Sequence, residues 1–151
     1  MNVDIATFNE VTSTFHEMLL ECDWVKKSYF VSPFLKDEQE LGYADLIKNF
    51  IKYRLTSQDC NVMITRIKPL FLEKLKIPTI GRPIPMGCFH FLNKNKEEKI
   101  IMISAVHLIS LASNREKRVV ELNDLMKEVS KYDGMVDGFI FQGDMNFHSE
   151  E

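Results

Sequence analysis

Several familiar signatures are missing from these 151 residues, and each absence narrows the field. No apolar stretch approaches the ~20 residues a membrane helix needs, and no basic-then-apolar leader precedes the first apolar run. Cys22, Cys60 and Cys88 are odd in number, widely spaced and outside any CxxC pattern. They read as reduced core thiols, so an intracellular protein of cytoplasm or nucleus is expected. Neither GxGxxG nor GxxxxGK with a following Ser or Thr occurs after an apolar run, which removes those nucleotide cradles. The formal net charge of −3 argues against a general polyanion-binding surface. It leaves room for a phosphate-handling enzyme whose positive charge comes from a bound metal. No internal repeat, low-complexity stretch or linker divides the chain, so 1–151 is read as a single domain.

What is present is ordinary in bulk, with 45% hydrophobic and 27% charged residues, enough to bury a real core. Val3 to Phe8 is short and partly alternating and is expected to be a strand that exits at Asn9-Glu10-Val11. Thr12 or Ser13 can cap the next helix, with Phe15, Met18, Leu19 and Cys22 as its apolar stripe. Trp24-Val25 and Tyr29 to Val31 suggest a short strand, residues 35–42 a surface loop, and 43–55 an amphipathic helix. Cys60 to Thr65 reads as a strand, while the type of Leu70 to Ile77 stays open. A turn-rich Gly81 to Pro85 leads into Cys88 to Leu92, which forms a hairpin with Lys99 to Ser104. Arg115 to Lys131 is expected to be helical, its apolar face made of Val119, Val120, Leu122, Leu125, Met126 and Val129. Asp133-Gly134 then breaks it before a last, buried strand at Phe139 to Phe141. Strands outnumber helices, and the pattern predicts an α/β fold of the mixed-sheet sandwich type.

Polar groups recur where these strands end. Glu10 follows the first, His107 and Ser110 follow the run Ile100 to Ser104, and Asp144 with Asn146 follow the last. In an extended chain, residues two apart point to the same side, so Asp144 and Asn146 are expected to face one reaction centre. Taken singly, each has a plainer reading. Glu10 could be a solvated loop acid and His107 a satisfied structural imidazole, and Arg82, a candidate phosphate contact by charge alone, is more simply a surface or turn residue.

In combination the motifs resemble the endonuclease/exonuclease/phosphatase superfamily of deoxyribonuclease-like metal phosphoesterases, nearest to its 5′-tyrosyl-DNA phosphodiesterase-like members. Phe8-Asn9-Glu10-Val11 is similar to that family's Leu-Gln-Glu-Val, Val106-His107-Leu108 to its Thr-His-Leu, and Gly143-Asp144-Met145-Asn146 to its Gly-Asp-Phe-Asn. Their order matches. Arg118-Val119-Val120-Glu121-Leu122 stands where the family often has Arg-x-x-Gln-Leu, a departure at the Gln, as Asn9 is at the first motif.

The resemblance implies a four-layer sandwich and a hydrolase, a metal-binding phosphodiesterase or nuclease. Glu10 would ligate catalytic Mg²⁺ or Mn²⁺. Asp144 would orient or deprotonate the attacking water, and Asn146 would hold a phosphate oxygen or help place that water. His107 would donate to the phosphate as charge builds, with Ser110 as a further phosphate contact. The family's preceding Asn strand and closing Asp-His pair have no counterpart, so the domain is expected to be truncated at both ends and incomplete. His148 is misplaced to stand in.

Two other readings remain beside the enzyme. One is a catalytically weak or inactive relative acting as a binding or interaction module, a homodimer or a partner's seat across an open sheet edge. The other is an unrelated α/β domain. Within the enzyme reading the substrate class stays open among DNA ends, abasic DNA, poly(A) RNA, sphingomyelin and phosphoinositides.

Overall fold

The computed structural model describes residues 3–32 and 60–147. The expected loop at 35–42, the expected helix at 43–55 and His148 lie outside the described residues. Two sheets form the frame. The first contains β1 (Ile5–Val11), β2 (Phe30–Val31) and β3 (Cys60–Thr65) in the order β1-β3-β2, all antiparallel. The second runs β4 (Phe71–Leu75), β5 (Ile84–Leu92), β6 (Glu98–His107) and β7 (Gly138–Asp144) in sequence order. Its first three strands are antiparallel and β7 lies parallel to β6, so among the described residues the mixing is confined to this sheet.

Three apolar clusters stack these parts into four layers. Val11, Val62 and Ile64 of the first sheet pack on Leu19 and Val25 of two short helices, α1 (Ser13–Glu21) and α2 (Asp23–Ser28). Met63, Phe89 and Ile103 meet between the sheets. Met86, Met102 and Val106 pack on Leu125 and Val129 of α3 (Arg115–Val129), which covers the far face of the second sheet. The alternation is visible along β6, where Ile101 and Ile103 face the first sheet and Met102 and Val106 face α3. The predicted mixed-sheet sandwich is present. Among the described residues no helix is long and apolar enough to cross a membrane.

Several expectations need correction. Trp24-Val25 is helical: α2 starts on Asp23 and carries Lys26 and Lys27 in its last turn, charges that complement its dipole over six residues. The stripe of α1 is rotated from the one expected. Thr12 caps it, its hydroxyl accepting from the Phe15 N–H at 3.2 Å, but Phe15 and Met18 are exposed while His16 and Leu19 are buried. The imidazole explains the rotation, since His16 Nε2 donates to the Ser32 carbonyl at 3.2 Å. Likewise α3 exposes Val119, Val120 and Met126 and buries Arg118 and Glu121 instead, and its α-helical part ends at Val129 before a short 3-10 turn, Ser130–Tyr132. Residues 70–77 contain β4. Finally, β7 is half-buried rather than buried. Among the described residues it is one of the two outer strands of its sheet, and Ile140 is 48% exposed.

Candidate active site

The first candidate carboxylate is delivered by an irregularity in β1. Phe8 pairs with Val62 and Val11 with Cys60, so Asn9 and Glu10 together oppose the single residue Asn61. Such a bulge kinks the strand and re-aims a side chain. Glu10 takes φ +57°, a left-handed conformation that a side chain adopts only at a cost. The correction to the sequence reading is small but instructive. Glu10 sits within the strand, at its kink, and not in a loop beyond it. Its side chain is 62% exposed.

The second contribution comes from β6. His107 is its final strand residue, not a group beyond it, and the register places it beside Asp144 at the end of β7. β1 lies across β6 and β7, so the ends of three strands from two sheets meet. Gly143 allows the approach. It has φ +132°, and a Cβ there would stand 2.1 Å from the Val106 carbonyl oxygen and 3.2 Å from Asn9 Nδ2. No other residue fits that position without moving a strand.

Around His107 the charges are ordered. Arg82, from the turn before β5, points a guanidinium N–H at His107 Nδ1. The same Nη1 lies 3.9 Å from Glu10 Oε1, and His107 Nε2 lies 4.0 Å from that oxygen. Burial holds the His107 imidazole below its ordinary pKa, and the Arg82 charge lowers it further against the opposing pull of Asp144, Glu10 and Glu121. His107 is therefore neutral near pH 7. Sequence reasoning set Arg82 aside as a surface or turn residue. Only its charge next to a turn pointed to it, and nothing in sequence spacing puts residue 82 beside residues 10 and 107.

The loop after β6 is gripped from below. Glu121 accepts from the Ile109 N–H at 2.8 Å. Arg118 donates to the carbonyls of Ile109 and Leu111 at 3.1 and 2.7 Å. From the other side Asn146 Nδ2 donates to the Leu108 carbonyl at 2.8 Å, and the Leu108 N–H returns to the Asp144 carbonyl at 3.0 Å. Ser110 rides exposed on this loop, its carbonyl accepting from Asn114 at 2.7 Å. Asp144 Oδ1 accepts the Asn146 N–H at 2.8 Å, which folds the chain back immediately after the strand. One N–H of the Asn146 carboxamide is thus engaged with backbone, leaving the other for a ligand.

Glu10, Lys96, Leu111 and Asn146 are the non-glycine residues with positive φ among those described, and three of these four border this site. Backbone strain of this kind collects where a fixed geometry is functional. As a metal seat the site is open. Among the described residues no three His, Cys, Asp or Glu side chains form a ligating group. An exposed carboxylate such as Glu10 suits a hard cation that keeps most of its waters and takes its remaining ligands from substrate phosphate.

Comparison with solved structures places this architecture. A humanized D. rerio TDP2 aligns over 97% of this chain and 54% of its own, with TM-score 0.62 and 15% identity. C. elegans TDP2 aligns over 99% and 40%, with TM-score 0.62 and 15% identity. The chain has the endonuclease/exonuclease/phosphatase fold. The human Nocturnin catalytic domain, solved with a bound sulfate anion, shares it over 98% of this chain and 53% of its own, with TM-score 0.60 and 15% identity. The chain thus spans about half the length of the endonuclease/exonuclease/phosphatase-fold structures it matches. No family model and no curated protein matches the sequence.

Proposed function

We propose that the strand-end cluster is the greater part of a metal-assisted phosphodiesterase site. The observation that carries this reading is the convergence of Glu10, His107, Asp144 and Asn146 from β1, β6 and β7 onto one strained, polar rim. Glu10 is the residue to hold Mg²⁺ or Mn²⁺, and the bound cation would supply Lewis-acid polarisation of a phosphoryl oxygen. Asp144 is exposed and placed to orient a water or take its proton. The neutral His107 and the free N–H of Asn146 donate to phosphoryl oxygens as negative charge develops, with Ser110 beside them on the gripped loop. Water attacks directly, with no covalent enzyme intermediate. DNA ends of the 5′-phosphotyrosyl type are the first substrate to try, since the motif pattern is nearest to that branch. Abasic DNA is the second.

Incubation of the protein with Mg²⁺ and each substrate, with Asp144→Ala as control, tests this. Loss of one such preorganised group should cost ~10²–10³ in rate. Turnover unaffected by Asp144→Ala would overturn the assignment.

A second reading, an interaction module without turnover, is favoured by one specific observation. Among the described residues β7 is an outer strand, with Ile140 exposed on the face that looks toward the first sheet. Unpaired strands of this kind recruit a further strand from another copy or another chain. Sedimentation would show a dimer, and calorimetry would show no Glu10-dependent Mg²⁺ binding. A monomer with clear Glu10-dependent binding rejects this second reading.

A further inference from the structure

We propose that Arg82 is a positioning residue that fixes the tautomer of His107, keeping the proton on Nε2 and aiming that N–H into the site. The proposal rests on the phosphodiesterase reading for its purpose, but its geometry stands alone. A guanidinium has N–H donors and no acceptor. Arg82 Nη1 is directed at His107 Nδ1, so that nitrogen must supply the lone pair. In a neutral imidazole the other nitrogen then carries the proton. Nε2 is the nitrogen turned toward Glu10, at 4.0 Å, and toward the polar rim.

Among the described residues the environment offers no competing way to set the ring. His107 is the last residue of β6, its main chain fixed by the pairing with β7, and its side chain is 7% exposed. The groups acting on it are Arg82, Asp144, Glu10 and Glu121. Of these only Arg82 makes a hydrogen bond to a ring nitrogen, among the described residues. A carboxylate at Nδ1, the common arrangement for an orienting partner, also leaves the proton pair ordered but raises the basicity of the ring. An arginine there does the opposite. It yields an imidazole that donates from Nε2 without becoming an imidazolium, which suits hydrogen bonding to a phosphoryl oxygen rather than proton transfer to a leaving group. Arg82 also lies at loose ion-pair distance from Glu10 and is 38% exposed, so its outer N–H groups can reach a substrate.

The test is spectroscopic and does not need turnover. In ¹⁵N-labelled protein near pH 8.5, roughly two units above the ordinary imidazole value, protonated and lone-pair ring nitrogens are resolved. The His107 signals are assigned by their absence in His107→Gln. Wild type should show the proton on Nε2. Arg82→Gln, which can still donate to Nδ1, should preserve that state, and Arg82→Ala should give a mixture of tautomers. A proton on Nδ1 in wild type, or a His107 spectrum unchanged in Arg82→Ala, would overturn the proposal. If turnover is measurable, Arg82→Gln should retain several-fold more kcat than Arg82→Ala. An inactive wild type with the expected tautomer would count against the phosphodiesterase reading and for the Arg82–His107 pairing.

Discussion

The two helical flanks of the sandwich treat their polar residues differently. On the second sheet, α3 buries two charged side chains, and both reach past the helix to grip residues 109–111 of the loop that follows His107. On the first sheet, α1 buries one imidazole, which bonds to the Ser32 carbonyl rather than to a residue of the rim. Among the described residues the β1 end that carries Glu10 has no such clamp. It is shaped by a bulge and by ion-pair distances of 3.9 and 4.0 Å that are too long for hydrogen bonds. The contrast teaches a division of labour. The His107 half of the rim is built rigid, and the Glu10 half is left open.

The largest expected effect comes from removing the grip. Arg118 is buried and makes two charge-assisted hydrogen bonds, each worth roughly 1.5–3 kcal/mol. Arg118→Met should lower unfolding stability by about 3–5 kcal/mol and speed hydrogen exchange at the Ile109 amide. A loss below ~1 kcal/mol would mean that α3 does not hold the loop and that the contrast between the flanks is false.

Next comes Gly143→Ala. The added methyl would collide with the Val106 carbonyl in a backbone conformation only glycine adopts readily. A loss of about 2–3 kcal/mol is expected. Any turnover should fall further than stability alone accounts for, because relieving the clash pulls Asp144 away from His107. Circular dichroism melts beside kinetics on the surviving folded fraction would check this, and unchanged values in both would remove Gly143 from the argument.

A smaller effect is expected from the α1 imidazole. Burial holds the His16 pKa below its ordinary value, so the unfolded chain binds a proton that the folded one refuses. Its contribution is full above about pH 6.5, and it is lost as pH falls from there through the folded value. Urea midpoints should decline from pH 7 to pH 5.5, and His16→Gln should flatten that part of the profile. A profile unaltered by the substitution would assign the slope to other groups.

These predictions rest on features that the sequence showed unevenly. The strands at 60–65, 88–92 and 99–104 carry long apolar runs between turn residues, so their pattern survives any packing, and the three motifs named the rim. What failed was the choice of helix face. Val119, Val120 and Met126 are apolar and at helical spacing, yet they are exposed, because Arg118 and Glu121 have backbone partners waiting at Ile109 and Leu111. Hydrophobicity ranks side chains one at a time, whereas burial is decided by what lies opposite. The same blindness hid Arg82, whose partners are 72 residues before it (82 − 10) and 25 after it (107 − 82). The bulge at Asn9-Glu10 was equally invisible, since it exists only as a mismatch with β3.

The smallest effect is also the sharpest probe of the open half. Glu10 holds φ +57° with a full side chain, a conformation that costs about 1–2 kcal/mol. Glycine removes that strain but adds freedom to the unfolded chain worth roughly 0.5–1 kcal/mol. The ion pair it deletes is exposed and contributes little. Glu10→Gly should therefore leave the fold as stable as wild type or up to ~1 kcal/mol more stable, while Glu10→Gln, which keeps the strain, should not gain. Both should abolish Mg²⁺ binding measured by calorimetry. If Glu10→Gly instead loses more than ~1 kcal/mol, Glu10 is a structural residue of the bulge, and the Glu10 half of the rim is no more open than the half that α3 grips.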